Sequence, residues 1–420
     1  MSLKNFKLKQ NQYITPGEEK LHKAYNFSNS NESVDLLFAV DGGSTQTRVS
    51  VVEAYGEGAD ELYIIPSNMV ALDDDREIKP KSDNLYDRLD SRIINQSKKT
   101  QSKIQRERIV RTTKLIDAGL SPTSISSTMQ KIDEKIFYVN IIDSIGYALM
   151  QKYENNIPKK VRCAVGVALP PDDMESTRNV DKFRDNLLGD YKFMHPDSNV
   201  EITIEILDVS VETEPGAFVS AYYATTEEEI PEKVLCINTG GRSIGAAVLQ
   251  NGKLNDTASQ TFPYGGNQYL AEIGKTFSNN YGGRAPSLLF LAAAVQTGNL
   301  KNGNSSIDIS KEIEASAKIF ADRIFNDVVK NVCDRSGINL QDLNVVIVSG
   351  GMIRRGEHGI SIADFLAQKF EEVTPYTDFT CVEDNLIPLG VAYKVYTDHS
   401  DLVDYEYVEE EEVITTGEEF

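Results

Sequence analysis

Cysteine and histidine are scarce in this chain, with four of each among 420 residues. Cys163, Cys236, Cys333 and Cys381 stand far apart and form no CxxC pair. That excludes a zinc ribbon or a disulfide framework and leaves an expectation of four buried thiols in a reducing compartment. His22, His195, His358 and His399 show no metal-ligand spacing and are expected to be structural or solvated. Long apolar runs are missing as well. The longest, Leu288 to Val295, is too short to span a bilayer. The opening MSLKNFKLKQNQYITP lacks the apolar centre of a signal peptide, so a soluble cytoplasmic protein is expected, with no membrane partner. Positive charge is also short: 43 Lys and Arg against 64 Asp and Glu give a net charge of −21. Such a surface argues against direct, non-specific nucleic-acid binding, which depends on neutralising phosphates.

What remains is ordinary globular composition, 40% hydrophobic and 25% charged, and enough chain for two to three domains. The charge is unevenly spread. Residues 398–420 hold ten acids and no Lys or Arg, whereas 79–116 hold eleven Lys or Arg and four acids. Residues 1–33 are polar, with five Lys and three acids, and read as a flexible basic extension. The stretch 73–133 reads as a basic inserted subdomain, partly helical. Strands are expected at 36–40, 161–169, 200–211, 234–237, 244–249 and 345–348, from apolar runs and alternation. Helices are expected over 139–153, 182–188, 215–223, 287–297, 310–335, 361–370 and 388–396, from 3.6-residue spacing. Strands and helices intermixed in this way predict an α/β protein.

An approximate internal repeat carries the chemistry. A buried apolar run, Asp or Asn, one residue, Gly, hydroxyl residues and a returning strand occur at Asp41 and again at Asn238, 197 residues downstream. The first tip holds Gly42, Gly43, Ser44 and Thr45; the second holds Gly240, Gly241, Arg242 and Ser243. Glycine lets the main chain approach an anion closely, and successive N–H groups form an anion-binding concavity. Two such tips facing each other would clamp a di- or triphosphate. A third glycine turn, Gly350-Gly351, follows another buried strand and would border the nucleoside end.

These residues resemble the actin, sugar-kinase and heat-shock chaperone ATPase superfamily. FAVDGGSTQTRV (38–49) looks like its first phosphate motif, LCINTGGRSIGAAVL (235–249) like the second, and VIVSGGM (346–352) like the adenosine motif. Within it, ALPPDD (168–173), FRDNLLG (183–189) and VETEP (211–215) are most similar to ParM-type plasmid-segregation actins. The resemblance implies an actin-like fold: two duplicated ribonuclease-H-like lobes around a nucleotide cleft. Lobe I would cover 34–230, lobe II 231–390, and 391–420 a returning helix and acidic tail. It implies Asp41 as the residue holding the waters of Mg²⁺. Gly43, Ser44 and Thr45 would bond the β- and γ-phosphates, with Arg48 reaching a phosphate. Glu212 would orient the attacking water, with Glu214 a nearby competitor. Gly350, Gly351 and Met352 would flank the nucleoside. Asn238 stands where the family usually has Asp, which predicts slower hydrolysis.

The resemblance further implies a bacterial ATPase or GTPase whose filaments separate plasmids and are weakened by hydrolysis. Its partners would be other copies of itself and a DNA-binding ParR-type adaptor on centromeric plasmid DNA. A second reading is an ATP-dependent sugar kinase of the N-acetylglucosamine type, since DGGSTQTR also resembles that motif. A kinase needs a carboxylate base beside the acceptor hydroxyl, and no convincing sugar-binding segment lies between the clamps. A third is a non-polymerising ATPase switch or a shape-determination protein.

Overall fold

The computed structural model describes residues 34–43, 46–52, 62–66, 69–72, 89–97, 104–111, 131–153, 156–195, 198–226, 228–255, 257–302, 305–382 and 386–399. The basic extension, the acidic tail beyond 399, and Ser44 and Thr45 lie outside these residues.

The described residues begin with strand β1 (Leu36–Gly42), buried along its whole length, as a central strand covered on both faces must be. It turns back as β2 (Gln46–Val52), then β3 (Leu62–Pro66) and β4 (Met69–Leu72). Next come β5 (Leu89–Asn95), β6 (Arg106–Arg111), helix α1 (Lys135–Tyr153), β7 (Lys160–Leu169), α2 (Thr177–Leu187), β8 (Gly189–His195) and β9 (Val200–Thr213). Helix α3 (Glu214–Thr226) leads to a second hairpin, β10 (Lys233–Thr239) and β11 (Ile244–Gln250), followed by β12 (Lys253–Leu254) and β13 (Gln260–Phe262). Helices α4 (Gly266–Tyr281) and α5 (Leu288–Thr297) precede the small hairpin β14 (Asn299–Asn302) and β15 (Ser305–Asp308). Helices α6 (Ser310–Arg323) and α7 (Lys330–Ser336) are joined by a π-turn at Ile324–Val329. The described residues end in β16 (Val345–Gly350), α8 (Ile362–Val373), β17 (Asp378–Val382) and α9 (Ile387–His399).

Among the described residues the first sheet runs β3-β2-β1-β7-β9-β8-β5-β6-β4, and the second β12-β11-β10-β16-β17 with β13 beside β11. In the first, β1 pairs antiparallel with β2 and parallel with β7, itself parallel to β9. In the second, β10 pairs antiparallel with β11 and parallel with β16, itself parallel to β17. The same pattern twice is the duplication read from the Asp41 and Asn238 motifs. The fold is α/β, built of two halves with the same strand pattern.

Each sheet is covered on one side by its own helices. Phe137, Tyr138, Ile141 and Ile145 of α1 pack with Phe38, Val165 and Ile204. Tyr269, Ile273, Phe320 and Leu366 pack with Leu235 and Val346 on the second sheet. A third cluster joins the two halves: Leu37 and Ala164 from the first sheet, Cys236 and Ile347 from the second, with Phe218 of α3 and Val391 of α9 between them. Helix α9 approaches α3 so closely that a Cβ at Gly390 would collide with the Ala217 carbonyl.

Three expectations change. The described part of the 73–133 insert is mostly strand, with helical geometry only in the single 3-10 turn Lys131–Asp133. Ile93 and Ile109 are fully buried as β5 and β6 extend the first sheet. Helix α4 was not expected, because its buried side chains Tyr269, Ile273 and Phe277 make only a narrow stripe in a polar segment. Cys381 is exposed on β17, while the other three thiols are buried. No helix among the described residues is long and apolar enough to cross a membrane.

Candidate functional site

The two hairpins put their tips at the ends of β1 and β10, where the parallel strands of each sheet also end. In the first tip, Asp41 lies opposite Arg48 across the β1–β2 ladder. The Arg48 Nη1 donates to Asp41 Oδ2 at 3.3 Å, and Asp41 is only 4% exposed. The Gly43 N–H donates to the Asp41 carbonyl at 3.1 Å, which closes the turn. In the second tip the Gly240 N–H donates to the Ser243 carbonyl at 2.9 Å. The first turn of α4 supports this tip from behind: Gly266 N–H donates to the Gly240 carbonyl at 3.0 Å and Asn267 N–H to Gly241 at 2.8 Å. Bonding the carbonyls backwards leaves the turn's other face for its remaining N–H groups and for Arg242. Burial holds the Arg242 guanidinium below the usual arginine range, with the Glu134 charge opposing the fall. Its Nη1 is buried with no hydrogen-bond partner among the described residues. A buried cationic donor of this kind suits an anion.

The third glycine turn adjoins the second tip through β16. Asn238 registers with Ser349 and Thr239 with Gly350, and Thr239 Oγ1 donates to the Ser349 carbonyl at 2.7 Å. Gly350 has φ of 109°, a conformation that favours glycine, and a Cβ there would strike Thr239. Gly351 faces open space, and Met352 reaches back to Gly266 at the start of α4.

Between the tips lies a residue pair. Helix α3 starts where β9 ends, and its first turn carries Glu214 and Pro215. Proline suits a first turn, and a carboxylate there complements the helix dipole. Thr213 caps it, its Oγ1 accepting from Gly216 N–H at 3.0 Å. Glu214 is buried and uses both carboxylate oxygens. Oε1 accepts from Lys131 Nζ at 2.6 Å, and Oε2 accepts from Asn238 Nδ2 at 3.5 Å. Lys131 also donates to the Gly42 carbonyl at 3.3 Å. Glu214 therefore touches a cation anchored on the first tip and an amide from the second. Burial pulls the Lys131 ammonium down, but Glu214, Asp41 and Asp173 together outweigh it and leave it above the usual lysine range.

Glu212 is placed differently. Its Oε1 accepts from the Thr213 N–H at 2.7 Å and from the Thr213 hydroxyl at 3.3 Å, so this oxygen supports the cap of α3. Asn238 is satisfied on both sides, since its Oδ1 accepts from Ser349 Oγ at 3.3 Å while its amide faces Glu214. An aspartate there could not donate to Glu214. Lys131 was not singled out from sequence. It sits in a short polar turn at the end of the basic insert, and only the tertiary fold buries it. Glu214 did carry a signal, a carboxylate directly before proline at a helix start.

No protein-family model matches the sequence, and neither does any curated protein. The fold does match solved structures. Bacillus thuringiensis ParM with ATP superposes with a TM-score of 0.58 at 16% identity, covering 87% of this chain and 98% of that one. Ta0583, an archaeal actin homologue, does so at 0.61 and 12% identity, covering 86% and 99%. The Alp12 filament structure does so at 0.53 and 16% identity, covering 87% and 98%. This likeness establishes the actin-like fold.

Proposed function

We propose that the chain is a nucleotide-dependent, polymerising actin-like protein whose filaments drive plasmid DNA segregation and are destabilised by nucleotide hydrolysis. The observation that carries this is the bridge Lys131–Glu214–Asn238, which ties one carboxylate to both halves of the duplicated fold beside two glycine tips. Support also comes from the likeness to a ParM solved with ATP and to an Alp12 filament.

In this reading a nucleoside triphosphate, ATP or GTP, lies between the lobes. Ser44 and Thr45 donate to its phosphates from one side, and Gly241, Arg242 and Ser243 from the other, while Gly43 and Gly240, whose N–H groups close the two turns, let the main chain approach the phosphates. The Arg242 Nη1, buried without a hydrogen-bond partner among the described residues, gives this side a donor. Gly350, Gly351 and Met352 border the nucleoside. Asp41 is a hard oxygen donor, suited to hold the waters of Mg²⁺. When bound, Mg²⁺ would neutralise phosphate charge. Arg48, beside Asp41 across the ladder, would reach a phosphate oxygen. Glu214, rather than Glu212, takes the water-orienting role, because it is the carboxylate that faces the cation and the second lobe. Lys131 holds it there. Catalysis of this kind rests on positioning and electrostatics.

Filaments would form as closed lobes stack copy on copy, and a DNA-bound ParR-type adaptor would capture their ends. The test mixes the purified full chain with Mg²⁺ and ATP or GTP and follows light scattering, pelleting and phosphate release. A threshold concentration for assembly, with phosphate release after it, is expected. Transfer of phosphate to a sugar without assembly would replace this reading with the kinase one.

A further inference from the structure

The turn after β7 carries two adjacent acids, Asp172 and Asp173, that reach opposite halves of the molecule. Asp172 Oδ1 accepts from the Thr261 N–H of β13, in the second sheet, at 2.7 Å. Asp173 Oδ2 accepts from the Lys131 N–H at 3.1 Å. Asp173 is 1% exposed, and its Oδ1 is buried without a partner among the described residues. The turn is stiff. It opens with Pro170-Pro171, whose φ angles are fixed by their rings, and the Asp173 N–H closes it onto the Pro170 carbonyl at 3.0 Å.

Lys131 is clamped around that contact. Tyr138 Oη donates to the Ile132 carbonyl at 2.7 Å, and Lys182 Nζ bonds Asp133 at 2.8 Å. The Phe183 ring of α2 packs 5.3 Å from Tyr138, and the Lys131 ammonium lies 5.5 Å from the Phe137 ring. Lys131 is thus fixed from α1, from α2 and from the Asp173 carboxylate. Of these, the Asp173 contact belongs to a turn that also holds the second sheet.

We propose that Asp173 is a positioning residue for nucleotide hydrolysis: it sets Lys131 against Glu214, and Asp172 transmits to it the position of the second lobe. This rests on the hydrolytic reading of the cleft. Asp173 touches no phosphate and is not a catalytic residue; it acts through Lys131. A charged carboxylate holds an N–H more tightly than a neutral one. Burial lifts the Asp173 carboxyl to about 7, with Lys131 opposing the rise and Glu214 and Asp172 adding to it. The remaining ionisable groups around it are Tyr138 and Asp133, together with Asp41, which shares Lys131. Burial thus makes Asp173 ionise across neutral pH, so Lys131 is held more firmly as pH rises from 6 to 8.

The experiment measures single-turnover hydrolysis from pH 6 to 8, and nucleotide affinity, for the wild type, Asp173→Asn and Asp173→Ala. The wild-type rate should rise several-fold with a midpoint near 7. Asp173→Asn keeps an acceptor oxygen and should flatten that rise. Asp173→Ala should slow hydrolysis about tenfold or more while leaving nucleotide affinity within about threefold, as a positioning loss does. If Asp173→Ala is poorly folded, the Asn variant alone decides. A rise that persists in Asp173→Asn overturns this inference and leaves the functional reading standing. Wild-type protein that binds but never hydrolyses nucleotide overturns both.

Discussion

Asn238→Asp tests the site most directly, because it turns the amide into a carboxylate and sets it against Glu214. The Asn238 amide nitrogen is 3.5 Å from Glu214 Oε2. Replacing it with an oxygen brings two carboxylates to that separation. At an effective dielectric near 20, two unit charges there repel by about 5 kcal/mol. Lys131, 2.6 Å from the other Glu214 oxygen, offsets part of this. Proton uptake caps the rest, since lifting a carboxyl by about three units from its ordinary value costs about 4 kcal/mol at neutral pH. The nucleotide-free variant should therefore lose about 2–4 kcal/mol, a fall of about 5–15 °C in melting temperature for lobes of this size. The sign with pH follows. A carboxyl raised in the folded state stabilises below its ordinary range and loses that contribution as pH climbs, so the deficit should be small at pH 5 and full at pH 8. Mg²⁺ with a slowly hydrolysed nucleotide should recover most of the loss, because a cation then has a second carboxylate to work with. Single-turnover hydrolysis should be faster than in the wild type. Thermal unfolding with and without Mg²⁺-nucleotide, beside rapid-quench phosphate release, measures all of this. If Asn238→Asp melts with the wild type and hydrolyses no faster, the bridge through Glu214 is the wrong description of the cleft.

The remaining tests separate neighbouring residues. Glu214→Gln should slow hydrolysis about 10²-fold or more, as loss of a group that acts on the proton of the attacking water does, while Glu212→Gln should stay within about threefold; the reverse result in phosphate-release assays would return the role to Glu212. Arg242→Ala removes a donor to a charged ligand worth about 1.5–3 kcal/mol and should weaken triphosphate binding about 10–100-fold by titration calorimetry, and unchanged affinity would take Arg242 out of the second clamp. Gly390→Ala drives a methyl into the Ala217 carbonyl where α9 crosses α3; overpacking against backbone should cost about 1–3 kcal/mol, and a melting temperature within 1 °C of the wild type would mean the two helices are not held that tightly.

Much of this molecule was legible from residue order because its central strands are uniformly apolar. Leu36 to Val40 and Val234 to Ile237 read as buried strands and are buried strands. The Asp41 and Asn238 motifs end in hairpins whose partners match residue for residue, Asp41 with Arg48 and Asn238 with Gly245. Segments whose burial depends on distant partners were not legible. The β5–β6 hairpin is rich in Arg and looks solvent-facing, yet Ile93 and Ile109 face the core because β8 offers an edge to continue. Helix α4 shows only a narrow apolar stripe, but its first turn holds the second tip in place.

The choice between Glu212 and Glu214 shows what spacing alone cannot decide. Both sit in VETEP, two residues apart, and on a continuing strand both would point to the same side of the sheet. The strand does not continue. Thr213 caps a helix at that point, and with Pro215 in the first turn the chain leaves the β9 direction between the two acids. Glu212 stays with the strand and bonds the cap, while Glu214 swings onto the helix end and meets Lys131. What separates the two is a local backbone event whose signals, Thr then Glu-Pro-Gly, are written in the sequence. Its consequence depends on an ammonium from a turn 83 residues away. A buried ammonium removed from its carboxylate is costly, about 3–5 kcal/mol when one partner of such a pair is deleted. Lys131 therefore constrains where Glu214 can rest, just as Glu214 constrains Lys131. The Asn238 amide on the other oxygen extends that constraint to the second half of the duplicated fold.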